Sequence, residues 1–474
     1  MMMMFKQREQ GQIVILLGLI SLLTGLSGSS TMLALPKISQ DFSISNSMAT
    51  WTVTVGLITT TILLVMFGHI GDLISKNDVF IFGSVFFIIG SLITGISPAY
   101  WILLVGRLIQ AVGSAMIMAN SMGIVSDYFP DATRAEALAT LSMFTSVGSI
   151  SGPAFGGFLI SLASWRWIFL INVPLGILVV VWGYFMLHVR LPKRDAVSNI
   201  WHNSNWVGQN IFTVGVIIFF LSGTFIQMPK WGTLGFIGVA VGIILTFYSF
   251  IQDSKAKTPW INPELLHNMD YLVSVVTLLI AMLVNAISNI LLPFYLQGFL
   301  QINALNSGLI MMLQSLTMLF VTPISGYLAD HWNRYYLLIL GLGFLTVSQI
   351  GYALYPSHNN LFLIIWPIVL NGVGMGLFLS PNNALTMNTV PKNLSGVAGS
   401  LNSLARTFGM TVGVSFGSAL LFLQLPGIRI ITPSTGSMFL HAFDAVFWAG
   451  AIGSLAGLGI AVYRLERVKK ESTN

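Results

Sequence analysis

The sequence predicts an all-α integral membrane protein: fourteen helices that cross a bilayer as two six-helix bundles with an inserted pair between them. Three observations predict it. The 474 residues are 55% hydrophobic and only 8% charged, apolar runs of about 20 residues recur along the whole length, and one short motif returns at a matching place in each half. A soluble domain carries roughly 25% charged residues to wet its surface, so with a mean hydropathy of +0.83 water is not the main solvent here. A run of about 20 apolar residues crosses ~30 Å of hydrocarbon as a helix.

The elements follow in chain order. The start, MMMMFKQREQ, leads into an apolar run from Gly11 to Leu35 with no small-residue cleavage site, so the first span is read as uncleaved rather than as a signal peptide. Spans are expected near 12–33, 51–70, 79–97, 101–125, 137–161 and 167–189, within a first bundle covering 1–195. The charged stretches RLPKRD and DSKAKTPW frame two further spans, 206–226 and 232–251, as an inserted pair with its linker over 196–263. The second bundle, 264–474, holds spans near 271–297, 306–328, 335–355, 360–388, 396–423 and 441–463.

An even number of spans puts both termini on one side. Lys and Arg are retained in the cytoplasm, and fifteen of them fall on the side of the termini, among them Lys76, Arg134, Lys255, Arg334 and Lys392, against Lys37, Arg166, Lys230 and Arg429 on the other. Both termini are therefore expected in the cytoplasm of a cell carrying this chain in its cytoplasmic membrane. The net charge of +6 then reflects topology rather than a nucleic-acid partner. Cysteine is absent, which removes disulfides, thiolate metal sites and thiol nucleophiles from consideration.

After the second span the chain reads GHIGD (Gly68 to Asp72) and after the tenth GYLAD (Gly326 to Asp330), 258 residues apart and at equivalent ends of equivalent helices. Duplicated blocks with a substrate site between them near mid-membrane are a recurrent transporter design.

On these and other residues the chain resembles the major facilitator superfamily, and within it the fourteen-span drug:proton antiporter branch. GHIGDLISKN is similar to the loop motif G-x-L-A-D-R-x-G-R-K through Gly68, Asp72 and Lys76, with Leu73 in place of the usual first Arg. LLVGRLIQAVGSA resembles R-x-x-Q-G-x-G through Arg107, Gln110 and Gly113. GSISGPAFGG is similar to the antiporter motif G-x-x-x-G-P-x-x-G-G through Gly148, Gly152, Pro153, Gly156 and Gly157, and SWRWIFLINVP looks like the short loop and helix start that follow it in that branch. The resemblance implies a secondary transporter that rocks two bundles about a central cavity, a loop at Asp72 that latches the halves on the cytoplasmic side, a fifth span at the interface between halves, and exchange of substrate against protons.

The residues carry a physical reading of their own. Gly148, Gly152 and Gly156 recur every fourth position and share a helix face that admits a neighbouring backbone, while Pro153 removes a hydrogen bond and favours a bend. Asp72, where the second span turns into the third, is placed to favour the next helix N-terminus. Arg107 and Arg406 are the only charges inside spans. An intramembrane Arg is costly, so each is expected to face a wet cavity or a partner and to take part with Gln110 in proton or substrate handling, the alternatives being carbonyl packing for Arg107 and snorkelling for Arg406.

The branch usually places an Asp in the first span, where this chain has Ser27 in LSGSSTMLALP. None of the fifteen acids lies in the middle of a span. Proton coupling would then fall to Asp127, Glu136 or a water route past Arg107, and an anionic, zwitterionic or neutral amphiphile is as good a substrate as a cation. Mid-span polar residues, Ser27, Thr31, Asn120, Asn285, Asn289, Gln314, Asn382, Asn383 and Asn402, are cavity candidates, with ordinary interhelical hydrogen bonding as the alternative.

No Walker loop, H-E-x-x-H or nucleophile elbow with partners is present, and no polar segment is long enough for a catalytic domain. The expectation is therefore not an enzyme and no cofactor or metal. The expected partners are an amphiphilic small molecule, the lipid bilayer and, by the resemblance, protons; the chain is expected to act as a monomer and to bind no nucleic acid. Export of drug-like or amphiphilic molecules is the leading reading. Import, or lipid or glycolipid translocation, on the same scaffold stands beside it, ahead of a non-transporting membrane sensor or an intramembrane enzyme.

Overall fold

A computed structural model of the chain describes residues 2–187, 205–226, 232–256, 259, 263–390 and 395–473. The boundary expected at 195 and the RLPKRD stretch lie outside those residues, as does the side chain of Asp330. The first helices are α1 Met2–Asp41, α2 Asn46–Leu73, α3 Lys76–Gly95, α4 Tyr100–Tyr128, α5 Asp131–Leu162, and α6 Trp167–Leu170 continued by α7 Asn172–Met186. Then come α8 Trp206–Ile226, α9 Gly232–Ser254 and the short α10 Pro263–His267. The last group is α11 Met269–Pro293, α12 Ala304–His331, α13 Arg334–Ala353, α14 Leu361–Asn388, α15 Ser395–Leu423 and α16 Gly436–Thr473. Fourteen of these segments are long and apolar enough to cross a membrane, at the places the sequence predicts.

Short polar residues start the helices by accepting orphan backbone N–H groups. Ser45 accepts from Met48 N at α2, and asparagines do the same job at α11 (Asn268), α12 (Asn303), α13 (Asn333) and α14 (Asn360). The start of α3 corrects one expectation. Its cap is Ser75, which accepts from Asp78 N, whereas Asp72 lies in the last turn of α2 and pairs with Lys76 instead.

Within the first bundle α1 packs on α5, and α4 on both α2 and α3; within the second, α11 packs on α15, and α14 on both α12 and α13. The inserted helices α8 and α9 pack chiefly on each other. Across the seam between bundles α5 meets α12, and α2 meets α15.

The apolar clusters sort by depth. One cluster mixes both bundles, joining Leu33, Leu35, Ala49 and Val53 to Ile290, Tyr295, Phe299 and Phe443 at the end remote from the termini. Nearer the termini each bundle has a cluster of its own, around Leu16, Phe80 and Ile124 in the first and around Leu278, Leu342 and Phe378 in the second, while a further cluster joins Ile62 of α2 to Leu401 and Leu404 of α15 through Phe212 and Phe220 of the inserted α8. The bundles thus share a core directly at the far side and only by way of the inserted helix nearer the termini.

One helix departs from α geometry there. After Pro293, Phe294–Phe299 form a π-helix, with Leu300 N donating to Tyr295 O at 2.9 Å. Proline removes a donor, and wider turns of this kind re-aim side chains.

Candidate functional site

The seam closure is built from small residues and a few hydrogen bonds. The face of α5 formed by Gly148, Gly152 and Gly156 packs on α1 of its own bundle, where a Cβ would collide with Leu22 O, Ser29 and Ser30 respectively. Ser30 Oγ donates to Gly152 O at 2.6 Å. The adjacent edge faces the other bundle: a Cβ on Gly157 would collide with Ala304 O, and one on Gly308 with Pro153 O. Of the motif, Pro153 and Gly157 therefore lie against the second bundle. Gln297, on the π-turn, donates to Leu33 O at 2.8 Å, and Asn46 N donates to Arg429 O at 2.8 Å. Thr61 and Thr411 share a hydrogen bond of 3.1 Å near mid-depth. Among the described residues, every direct hydrogen bond between bundles lies at mid-depth or beyond it.

Arg107 sits in the far half of α4. Nε donates to Thr52 O at 2.9 Å and Nη1 to Gln110 Oε1, while the guanidinium lies 5.6 Å from the Phe169 ring. Gly56 makes room for it, and 8% of the residue stays exposed. Gln110 turns its amide to Ser91 Oγ at 2.8 Å and Ser27 Oγ at 3.2 Å. Ser27 is thereby tied to α4 and buried, and Thr31 bonds back to Ser27 O. Asn120 holds the carbonyls of Phe67 and Met116. The first bundle spends these polar groups on its own packing.

The second bundle is different. Gln314 donates to Asn285 Oδ1 and to Asn371 Oδ1, binding α11, α12 and α14 together at mid-depth. Asn285 and Asn289 are only half-buried, with Asn289 Nδ2 donating to Asn285 O at 3.1 Å, so α11 carries two partly accessible amides in the middle of a span. Asn402 donates to Asn383 at 3.2 Å, and Thr277 to Asn382 at 3.3 Å. Arg406, one turn beyond Asn402, is half-buried and makes no hydrogen bond or ion pair with any described residue.

At the terminal side Lys76 Nζ lies 3.1 Å from Asp127 and 3.4 Å from Asp72, so the motif keeps a three-residue charge link without the arginine that Leu73 replaces. Asp127 is committed to this pair, and Glu136 is exposed at the start of α5. Gly68 is 3.9 Å from Ala119 Cβ, and Gly326 3.3 Å from Ser380 Oγ, each measured from an added Cβ.

Sequence reasoning missed Asn371, Gln349, Gln209 and Gln297. A signal existed for the first. Gln110 precedes Gly113 by three residues and Asn371 precedes Gly374 by three, and these glycines pack on Gly83 O and Gly341 O, so Asn371 is the second-bundle counterpart of Gln110. For Gln297 and Gln209 only tertiary contact supplies the meaning.

Twelve apolar helices in two packed groups with an inserted pair beside them, a shared core at the far end of the seam and polar groups at mid-depth define a multi-pass membrane protein of transporter type. The family model of the Major Facilitator Superfamily matches residues 17–414, and the chain belongs to that family. It is 28% identical to a riboflavin transporter of Clostridioides difficile over 98% of this chain and 99% of that protein. It is 26% identical to a multidrug transporter protein of Bacillus subtilis over 89% of this chain and 77% of that one. A lincomycin resistance protein of the same bacterium is 25% identical, over 83% and 82%.

Proposed function

We propose that this protein exports amphiphilic, drug-like molecules across the cytoplasmic membrane by alternating access, with 1–195 and 264–474 as the rocking halves and the termini in the cytoplasm. The observation that carries it is the lopsided seam: among the described residues the halves hydrogen-bond to each other only at mid-depth and beyond it, and the half-buried amides of Asn285 and Asn289 lie at mid-span. In this state the route leads to the cytoplasm. Asn285, Asn289, Asn383 and Arg406 offer hydrogen bonds and a positive charge rather than a carboxylate, so the preferred substrate is neutral or anionic, with Met and Phe supplying an adaptable apolar wall. The Asp72–Lys76–Asp127 link, with Gly68, and Gly326 with Asp330, form the cytoplasmic gating loops. Proton exchange, for which Asp127, Glu136 and the Arg107–Gln110 pair are the available groups, completes the cycle.

The test is accumulation of ethidium, riboflavin and an anionic fluorophore in a pump-deficient host, with and without an uncoupler. Export predicts lowered accumulation that the uncoupler restores; unchanged accumulation across the panel refutes it. A second reading, uptake of a neutral heteroaromatic solute, is favoured by the similarity to a riboflavin transporter along nearly all of both chains. It predicts raised riboflavin accumulation in the same assay.

A further inference from the structure

The inserted pair straddles the seam, and its two flanks are chemically unlike. On one flank Gln209, 7% exposed, donates from Nε2 to Ile62 O of α2 at 2.9 Å. On the other, α8 meets α15 through rings: Phe219 lies 5.2 Å from Phe416 and 6.1 Å from Phe408, and Phe220 lies 5.8 Å from Phe408. No hydrogen bond joins α8 to α15 among the described residues. A helix touching both halves must lose one of these contacts when the halves rock.

The chemistry decides which. Lipid tails are as apolar as the rings, so phenylalanines that part from one another are re-covered at little cost. An amide pulled from its carbonyl in hydrocarbon is left without a partner, which is unfavourable. We propose that the inserted pair is a passenger of the first half, pinned by Gln209 to Ile62, and that its aromatic contact with Phe408 and Phe416 is a slip surface. Parting there opens a phenylalanine-lined cleft between α8 and α15 to the bilayer at the far side. This rests on the rocking-halves reading.

The chain has no cysteine, so spin-label pairs can be introduced without background. Three exposed far-side positions serve: Met48 on α2, Phe225 on α8 and Leu423 on α15. Each pair of cysteine variants is measured by double electron–electron resonance in nanodiscs, in the parent and with the wedge Gly308→Trp, which must push α12 off Pro153; Gly157→Leu is a second wedge should the first misfold. The proposal requires the 48–423 and 225–423 distances to lengthen on wedging while 48–225 holds. A constant 225–423 distance with a lengthened 48–225 assigns the pair to the second half, and equal shifts in both make it independent of either; each overturns the proposal. A 48–423 distance that no wedge changes refutes rocking itself. In the wedged protein, Gln209→Leu should release the 48–225 distance as well, and an unchanged distance there refutes the pin.

Discussion

The side-chain amide of Gln297 reaches across the seam to the main-chain oxygen of Leu33, 2.8 Å away, from the only π-turn among the described residues. An α-helix continued through Pro293 would turn position 297 to another bearing; the wider turn points it at α1. This is a releasable bond, since hydrogen bonds between membrane helices contribute about 0.6 kcal/mol on average and up to about 1.7.

Gln297→Leu should therefore favour the state open at the far side by about 3- to 18-fold. The readout is the rate at which an impermeant thiol reagent, added outside, labels Asn285→Cys in this cysteine-free chain. An unaltered rate would show that the bond does not hold the gate.

The two edges of α5 predict two phenotypes. Gly148→Val collides with Leu22 O inside one bundle, so it should lower the unfolding temperature through overpacking of about 1–3 kcal/mol. Gly157→Val collides with Ala304 O of the other bundle, so the halves can relieve it by moving apart. It should leave thermal stability nearly intact and raise far-side labelling. Equal loss of stability in both variants would contradict this division.

Arg107→Ala should destabilise the first bundle, because Gln110 Oε1 and Thr52 O lose a donor in a buried setting at about 1–3 kcal/mol. Arg107→Lys should recover only part of it, since an ammonium cannot present two fixed N–H groups to both acceptors. Thermal unfolding of the two variants in detergent checks the order; full recovery by Lys would rule out the paired geometry.

The Lys76 link is exposed, with side-chain accessibilities of 25% for Lys76 and 55% for Asp127. Surface pairs contribute about 0–1 kcal/mol, so Lys76→Met and Asp127→Asn should hardly move the unfolding temperature while lowering the transport rate if the loop gates the cytoplasmic side. A large stability loss without a change in rate would make the link a structural clamp.

The repeat was half visible in the sequence. GHIGD and GYLAD announced it, and the glycine pairs Gly83–Gly113 and Gly341–Gly374 show it in contact. The site was less visible. Ser27, Thr31, Asn120 and Asn382 look alike as mid-span polar residues, yet they are buried in packing, while Asn285 and Asn289 stay partly accessible. Composition gives depth along a helix; it does not give the bearing of a side chain about the helix axis relative to the other bundle.

By itself the sequence determined how many times the chain crosses the bilayer, and where, because hydrocarbon thickness and the cost of unpaired backbone polar groups act on each segment separately. Tertiary structure alone decided which glycines face the opposite bundle, that Gln297 reaches Leu33, and that α8 lies across the seam. Those depend on packing between helices far apart in the chain, where lipid and protein surfaces are equally apolar and the pattern of a single segment carries no preference between them.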